Sequence, residues 1–202
     1  MSNWHSSCVR RYDLERASSA VMKWLIRSRI SNWLVPGKPC GLSVTANCNL
    51  LVACREPNKL VELSAVSGQS VREIALQSNI RCLWHSVQLT TEQHLVAHGL
   101  SDSDLQRVCV VGDDGKVTRS YGGQRGSDVG QLNVPCHVAV DEDLQFIFVA
   151  DRYNARVVLL SPTLEFIRHI SVTRPSSRLY FHQATRRLFV GHWYDGVTVI
   201  QL

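Results

Sequence analysis

Hydrophobic residues in this chain occur in short runs, and no long run follows helical spacing. The runs consist of Val, Leu, Ile and Phe, and they are broken by Asp, Asn, Gly and Ser. Short apolar runs bounded by turn-forming residues are typical of β-strands joined by tight turns. The pattern therefore predicts an all-β fold. In its clearest stretch the predicted strands are 136–140, 146–150, 156–160 and 165–170, with turns at 141–143, 152–154 and 161–162.

One phrase recurs along the chain. Residues 39–44 read Pro-Cys-Gly-Leu-Ser-Val and residues 135–140 read Pro-Cys-His-Val-Ala-Val, and a second apolar run follows each of them. Weaker copies begin near His85 and Leu179. Recurrence at about forty residues predicts one supersecondary unit stacked several times. Because each copy holds four predicted strands, we expect a β-propeller with about four four-stranded blades over residues 36–202.

The first 35 residues differ from the repeats. They carry six basic and two acidic side chains. Two alternatives stay open for this basic segment. Residues 19–26 and 30–35 either supply the outer strands of a partial blade or belong to an amphipathic helix, since Val21 and Leu25 recur at helical spacing. The strand alternative is favoured because Pro36 then leads into the first full repeat.

The number of blades leaves a second question open. A ring of roughly four blades is either complete or a part of a larger one.

The third copy carries a resemblance to a known family. The residues concerned are the Gly-rich segment 121–130, then 131–135, 138–141, 149–151, Asn154, Arg156 and Val157. They resemble one NHL repeat, and the resemblance extends over roughly residues 36–202. It implies a propeller like those at the C-terminus of tripartite-motif proteins, which act in ubiquitin ligation and RNA regulation. The position of Asp151 is taken by Cys54, His98 and His192 in the other copies.

Composition narrows the class of protein further. The chain has 202 residues, of which 45% are hydrophobic and 19% charged, as in soluble globular proteins. Residues 20–26 are too short for a transmembrane span, and the N-terminus lacks the order of a signal peptide. We therefore expect a cytoplasmic protein without membrane association.

The seven cysteines include no Cys-x-x-Cys pair, which favours reduced thiols and argues against a zinc-binding RING domain in this chain.

The histidines raise the question of an enzyme. His85 and His137 are expected at equivalent places near the start of innermost strands, and three convergent histidines hold zinc and a reactive water in propeller lyases. The same place is taken by Gly41 and Arg178 in the other copies, and a cation repels a metal ion. Carboxylates cluster in turns, and no nucleophile motif is found. We therefore predict no catalytic site, no metal and no cofactor, with a metal-dependent lyase as the least favoured alternative.

A basic surface with aromatic residues is the candidate interaction site. Turns that precede the innermost strands and turns that follow the second strands fall on one face of a propeller. Because their side chains are basic, aromatic or polar, these turns are candidates for partner contact. The candidate partner-binding residues are Arg55, His137, Arg152, Tyr153, Asn154, Arg178 and Trp193.

The predicted function is a non-enzymatic scaffold for protein–protein interaction, in which rigid blades hold variable turns in place. By the resemblance, the partner is a substrate or regulator in a ubiquitin-ligase pathway. The alternative is single-stranded RNA, with Tyr153 or Trp193 stacked on a base and nearby arginines on phosphate. The repeats hold 16 basic and 15 acidic residues, so net charge gives RNA little support. The oligomeric state stays open.

Overall fold

The computed structural model describes residues 8–14, 28–90, 92–99 and 105–202. Within these ranges the chain forms strands and two single-turn 3-10 helices, and no α-helix. The possible outer strand at residues 19–26 lies outside the described residues. The strands are β1 (Cys8–Leu14), β2 (Ser28–Leu34), β3 (Pro39–Val44), β4 (Leu50–Arg55), β5 (Asn58–Leu63), β6 (Ser70–Ala75), β7 (Leu83–Thr90), β8 (Gln93–His98), β9 (Gln106–Gly112), β10 (Val117–Gly123), β11 (Pro135–Val140), β12 (Ile147–Asp151), β13 (Arg156–Leu160), β14 (Phe166–Ser171), β15 (Ser176–His182), β16 (Arg187–His192) and β17 (Val197–Gln201).

The strands form four blades of a β-propeller, which confirms the predicted fold class. Strands β3–β6, β7–β10 and β11–β14 make three four-stranded antiparallel sheets, and β15–β17 make the sheet of the fourth blade. Strands β1 and β2 pair with each other ahead of the first blade. In the third blade every strand begins and ends within one residue of its predicted bounds. Turn-forming residues between apolar runs thus marked the strand ends correctly.

The first strand of each blade lies at the centre of the assembly. Val44, Leu89, Val140 and Phe181, one from each of β3, β7, β11 and β15, line a single cavity. The blades are therefore arranged around a common centre, as the recurring phrase predicted. The second strands lie behind this centre, and every residue of β12 is buried because a neighbouring blade covers each of its faces.

Alternation along the strands gives each inner blade two apolar faces. Ile147 and Val149 of β12 pack in the core between the second and third blades. Phe148 and Ala150, which point the opposite way, pack in the core between the third and fourth blades. Phe148 also stacks on Phe181 with ring centroids 5.2 Å apart. Successive blades are thus held by continuous layers of buried Val, Leu, Ile and Phe.

Asp151 anchors the glycine-rich crossover that leads into the third blade. Its carboxylate is fully buried and accepts hydrogen bonds from the Asn133 backbone N–H at 2.6 Å and from Asn154 Nδ2 and Arg156 Nε at 2.7 Å. The Asp151–Arg156 ion pair is almost wholly shielded from solvent. These contacts join the turn after β12 to the crossover.

Arg156 extends this anchor into the crossover itself. Its Nη1 donates to the Ser127 carbonyl at 2.6 Å and its Nη2 to the Gln131 carbonyl at 2.9 Å. Asn154 Nδ2 also donates to the Gly126 carbonyl at 2.8 Å. The crossover, which lacks a sheet of its own, is therefore fixed by side chains of the blade that it introduces.

Gly41 allows the first two blades to approach each other closely. A Cβ atom built there would lie 2.6 Å from the Trp84 carbonyl oxygen and 2.8 Å from the Cα of His85. The equivalent places in the later blades hold His85, His137 and Arg178, so Gly41 is the exception that fits this contact.

We expect Gly41→Ala to lower the free energy of unfolding by about 1–3 kcal/mol, because the added methyl group must displace backbone of the next blade. Gly191→Ala is the matched control, since its Cβ would make ordinary contacts with Arg178 Cβ at 3.5 Å and the Arg178 carbonyl oxygen at 3.8 Å. Guanidinium unfolding of both variants measures the difference. Equal stability of the two variants would contradict the close approach.

Candidate functional site

The candidate partner-binding residues gather at one end of the blades, which we call the front face. It is the end at which β3, β7, β11 and β15 begin and at which β4, β8, β12 and β16 end. Arg55 ends β4, and Arg152 and Tyr153 form the turn after β12. Arg178 lies near the start of β15, and Trp193 directly follows β16. The antiparallel meander of each blade brings these separate turns to the same side.

Arginines on the front face stack on aromatic rings of the next blade. The guanidinium carbon of Arg55, from the first blade, lies 4.5 Å from the ring centroid of Trp84 in the second. That of Arg152, from the third blade, lies 3.7 Å from the ring of Trp193 in the fourth and 5.0 Å from that of Tyr153. Such cation–π contacts hold a guanidinium in a defined orientation.

Arg55, Arg152 and Arg178 all lie on the front face, and we call this group of arginines the basic mouth. Arg178 takes the place in β15 that His137 takes in β11. Its charge acts on two thiols of the innermost strands. Burial raises the pKa of the Cys40 thiol to about 11, and the charges of Arg55 and Arg178 oppose that rise. Burial also raises the pKa of the Cys136 thiol to about 11, against the charges of Arg152 and Arg178. The Arg178 charge therefore acts on both thiols, Cys40 and Cys136.

The two thiols have a structural role. Cys40 Sγ donates a hydrogen bond to the Leu83 carbonyl at 3.1 Å, and Cys136 Sγ donates to the Ser176 carbonyl at 3.4 Å. Each bond links an innermost strand to the next innermost strand. With raised pKa values both groups stay protonated at neutral pH, so neither supplies a thiolate nucleophile.

Positive charge in the basic mouth is not balanced by the described part of the chain. Four described arginines have a carboxylate within 4 Å, namely Arg72, Arg156, Arg174 and Arg186. The three arginines of the basic mouth form no ion pair with a described residue, and the same is true of Arg81, Arg107, Arg119, Arg168 and Arg187. Arg152 is only 9% exposed, and its Nε has no hydrogen-bond partner. Arg55 Nη2 is also buried without a partner. A buried guanidinium N–H without a partner carries a desolvation cost that the described residues do not offset.

A pair of stacked histidines lies behind the mouth. The rings of His85 and His137 are 3.7 Å apart and inclined by 18°. His85 Nε2 donates to the Leu42 carbonyl at 3.2 Å, and the Leu179 backbone N–H donates to His137 Nδ1 at 3.3 Å. Burial lowers the pKa of His85 to about 4 and also lowers that of His137. The two neutral rings thus tie the innermost strands of all four blades together.

Histidines take two of the four equivalent places on the innermost strands. The strand register places Gly41, His85, His137 and Arg178 at equivalent positions, opposite Ala53, Ala97, Ala150 and Gly191. Within the described ranges, no three or more His, Cys, Asp or Glu side chains are grouped so as to hold a metal ion. The absence of enzymatic activity stays a prediction.

The structure separates the predicted contact residues into two kinds. Tyr153 and Trp193 are about half exposed, and both rings contact Arg152 of the basic mouth. Asn154 lies in the same turn, but its amide is engaged by Asp151 and by the crossover. His137 is engaged in the stack with His85. Asn154 and His137 are therefore engaged within the fold, and Arg152 is largely buried. The residues that present side chains on the front face are Arg55, Tyr153, Arg178 and Trp193.

Two features of the site were missed by sequence reasoning. Trp84 supports Arg55, and its place directly before His85 in the second copy was the available signal. The other feature is a cavity of about 960 Å³ at the opposite ends of the innermost strands. Its wall includes Leu42, Val87 and Val138. Its size depends on the angle between blades, which no residue pattern encodes.

Comparison with known proteins supports the β-propeller fold and does not indicate a function. No family model matches the chain, and no curated protein is similar to it. The structure is similar to the crystal structure of a protein of unknown function from Bacteroides caccae, with a TM-score of 0.55 and 11% sequence identity. The alignment covers 87% of this chain and 65% of that chain. The β-propeller is shown, and the resemblance to NHL repeats stays an interpretation of the sequence.

Among the described residues, no helix has the length and apolar character that crossing a bilayer would need.

Proposed function

We propose that this chain is a non-enzymatic β-propeller scaffold whose front face binds a protein partner. The observation that carries the proposal is the combination, on that face, of exposed aromatic rings with arginines that have no ion pair among the described residues. Tyr153, Trp193 and Tyr194 are 50%, 45% and 85% exposed, and they adjoin the basic mouth in sequence or in space. Aromatic residues and arginine are enriched at the centres of protein interfaces.

Rigid display is the mechanism of the proposed scaffold. The arginine–aromatic stacks link one blade to the next, and the histidine pair links the innermost strands. A partner that binds this face would therefore order few side chains on binding, and the entropic cost of association would be small. Recognition by a pre-formed surface needs no movement of the blades.

The resemblance to NHL repeats suggests the kind of partner. A resemblance to tripartite-motif proteins implies that the partner is a substrate or regulator of ubiquitin ligation, and we propose a partner of that class here. This class of partner is supported by the sequence of the third copy, from the crossover to Arg156.

Single-stranded RNA is the second candidate, and the proximity of arginine to aromatic rings favours it. Bases stack on free aromatic faces and phosphates contact arginine. On this face, however, a guanidinium already covers one side of Trp84 and one side of Trp193. Tyr194 offers the most open ring. We therefore place protein binding first.

Affinity capture with matched variants tests the scaffold proposal. Tyr153→Ala and Tyr194→Ala alter the front face, and Leu144→Ala removes a similarly exposed apolar side chain from the β11–β12 turn at the opposite end. We expect a defined set of proteins to be captured by the wild type and by Leu144→Ala, and to be lost with both tyrosine variants. Circular dichroism confirms that the variants are folded. Capture that is lost equally in all three variants, or in none, would reject the front face as the binding surface.

A further inference from the structure

We infer that the outer edge of β17 in the fourth blade accepts an extended segment of a partner protein, in which an arginine precedes an isoleucine or tyrosine by two residues. The inference goes beyond the proposed function, because it concerns the outer edge of a blade and not the front face. It also names the kind of segment that would bind. We call β17 (Val197–Gln201) the acceptor strand.

The first argument is the number of strands in each blade. Three blades have four strands, whereas the described fourth blade has three. The acceptor strand pairs with β16 along one edge, and no described strand pairs with its other edge. At the equivalent places β5, β9 and β13 pair with the outermost strands β6, β10 and β14. Backbone N–H and C=O groups at a free strand edge can pair with an added strand.

The second argument is the exposure of apolar side chains beside that edge. Val197 and Val199 are 62% and 52% exposed. The strand register places them at the positions that Val157 and Leu159 take in β13. Those two residues are buried beside the outermost strand β14 and against the fourth blade. Within the described part of the chain, the two valines of the acceptor strand therefore lack a cover that their counterparts have.

The third argument is the lack of charge on the acceptor strand. It reads Val-Thr-Val-Ile-Gln. The outermost strands of the other three blades each carry at least one charged side chain, namely Arg72 and Glu73 in β6, Arg119 in β10 and Arg168 in β14. Charged side chains on an edge strand oppose its pairing with another chain. The acceptor strand does not have this protection.

The outermost strands of the other blades show which side chains an added segment needs. Each contains an arginine two residues before a large apolar residue. The three pairs are Arg72 and Ile74 of β6, Arg119 and Tyr121 of β10, and Arg168 and Ile170 of β14. In each blade the apolar member stands opposite the position equivalent to Val197, and the arginine stands opposite the position equivalent to Val199.

The second blade shows what each member of the pair does. Tyr121 stands opposite Val108, and both are buried in the core between two blades. Arg119 stands opposite Val110, so that its methylene stem lies beside an apolar side chain while its charge points to water. The acceptor strand offers two valines at the same two positions. A segment with the same arginine and apolar residue therefore fits it in antiparallel register.

A peptide copied from this chain is the probe. It has the sequence of residues 163–173, which spans β14, and carries fluorescein. The control peptide has the same composition in a scrambled order, in which no apolar residue follows two places after the arginine. We expect fluorescence anisotropy to show binding of the first peptide and not of the second. Hydrogen exchange should show slower exchange of backbone amides in residues 197–201 of the complex.

Two substitutions at one position test the register in opposite directions. Val199→Lys should weaken binding about fivefold, because like charges directly opposite each other oppose strand pairing, and the peptide places Arg168 there. Val199→Glu should strengthen binding by about two- to fivefold, since it reproduces the Glu62–Arg72 pair of the first blade at 2.8 Å. Val71→Lys is the matched control, because Val71 is 55% exposed on the outermost strand β6, and it should not alter binding.

A peptide that carries Arg168→Glu supplies the charge reversal. It should bind Val199→Lys more tightly than Val199→Glu, which is the opposite order to that of the original peptide. The same order for both peptides would overturn the predicted register and with it the inference.

Three further results would overturn the inference. They are absence of binding by the original peptide, equal weakening by Val71→Lys, and peptide-induced protection of an outermost strand other than β17. Protection of every β17 amide without peptide would also overturn it, in favour of this chain itself if the protein is monomeric and of a second copy if it is dimeric. None of these results would affect partner capture that depends on Tyr153 and Tyr194, so failure here is distinguishable from failure of the front face.

Discussion

Asp151→Ala is expected to lower the free energy of unfolding by about 3–5 kcal/mol, because it leaves the buried Arg156 guanidinium without its counter-charge. Asp151 is fully buried, and Arg156 is nearly so. The substitution also removes the acceptor for the Asn133 backbone N–H and for the Asn154 amide. Guanidinium-induced unfolding measures the loss.

Asp195→Ala is the control for this prediction. Asp195 pairs with Arg174, but more than half of each side chain is exposed, so its removal should cost less than about 1 kcal/mol. The crossover gives an independent readout, since Arg156 holds the Ser127 and Gln131 carbonyls. We expect faster proteolysis within residues 124–134 in Asp151→Ala than in the control. A loss as small as that of Asp195→Ala, with an unchanged cleavage rate, would show that the anchor is dispensable.

Acidification between pH 6.5 and pH 4 is expected to destabilise the fold, by about 3 kcal/mol at pH 4 through His85 alone. Burial lowers the pKa of four histidines in the folded state, His85, His94, His98 and His137. For His85 the pKa falls from 6.5 to about 4. The unfolded chain therefore binds more protons than the folded chain in this window, and stability is present above pH 6.5 and is lost as the pH falls.

The groups that face His85 strengthen this effect. The Arg178 charge and the stacked ring of His137 both disfavour a proton on the pair, and the bond to the Leu42 carbonyl opposes them. Unfolding of the wild type and of His85→Gln is compared at pH 7 and at pH 4. The wild type should lose about 3 kcal/mol more than the variant over this range.

A ring-proton titration by NMR covers the case in which His85→Gln does not fold. In the wild type the His85 ring should remain neutral down to about pH 5. Parallel loss of stability in both proteins, together with titration of His85 near pH 6.5, would refute the role of the buried rings. Such a result would also weaken the view that the histidine pair holds the innermost strands together.

The sequence predicted the strands well where turn residues and apolar runs alternate clearly. The third blade shows this best, because Pro135, Asn154 and Pro162 mark ends that strand pairing alone leaves open. The equivalence of Gly41, His85, His137 and Arg178 was also visible in the sequence, and the strand register agrees with it. Equivalent positions could be aligned because they share a place in a repeated local unit.

The candidate site could be predicted only as a set of turns on one face. Arg55, Arg152 and Tyr153 follow second strands, and this local rule placed them correctly at the same end of the blades. That Arg152 rests on Trp193, and Arg55 on Trp84, depends on contacts between blades about forty residues apart in sequence. The engagement of Asn154 by Asp151 and of His137 by His85 was equally invisible, since it depends on the distance between elements.

The amino-acid sequence by itself determined the all-β class, the repeated blade and the common face of the basic turns, because alternation and turn chemistry act over a few residues. The tertiary structure alone decided which arginines find a carboxylate and which remain unpaired, and which histidines stay neutral. Those properties depend on burial and on neighbours from other blades, since the cost of a charge is set by the surroundings that the completed fold places around it.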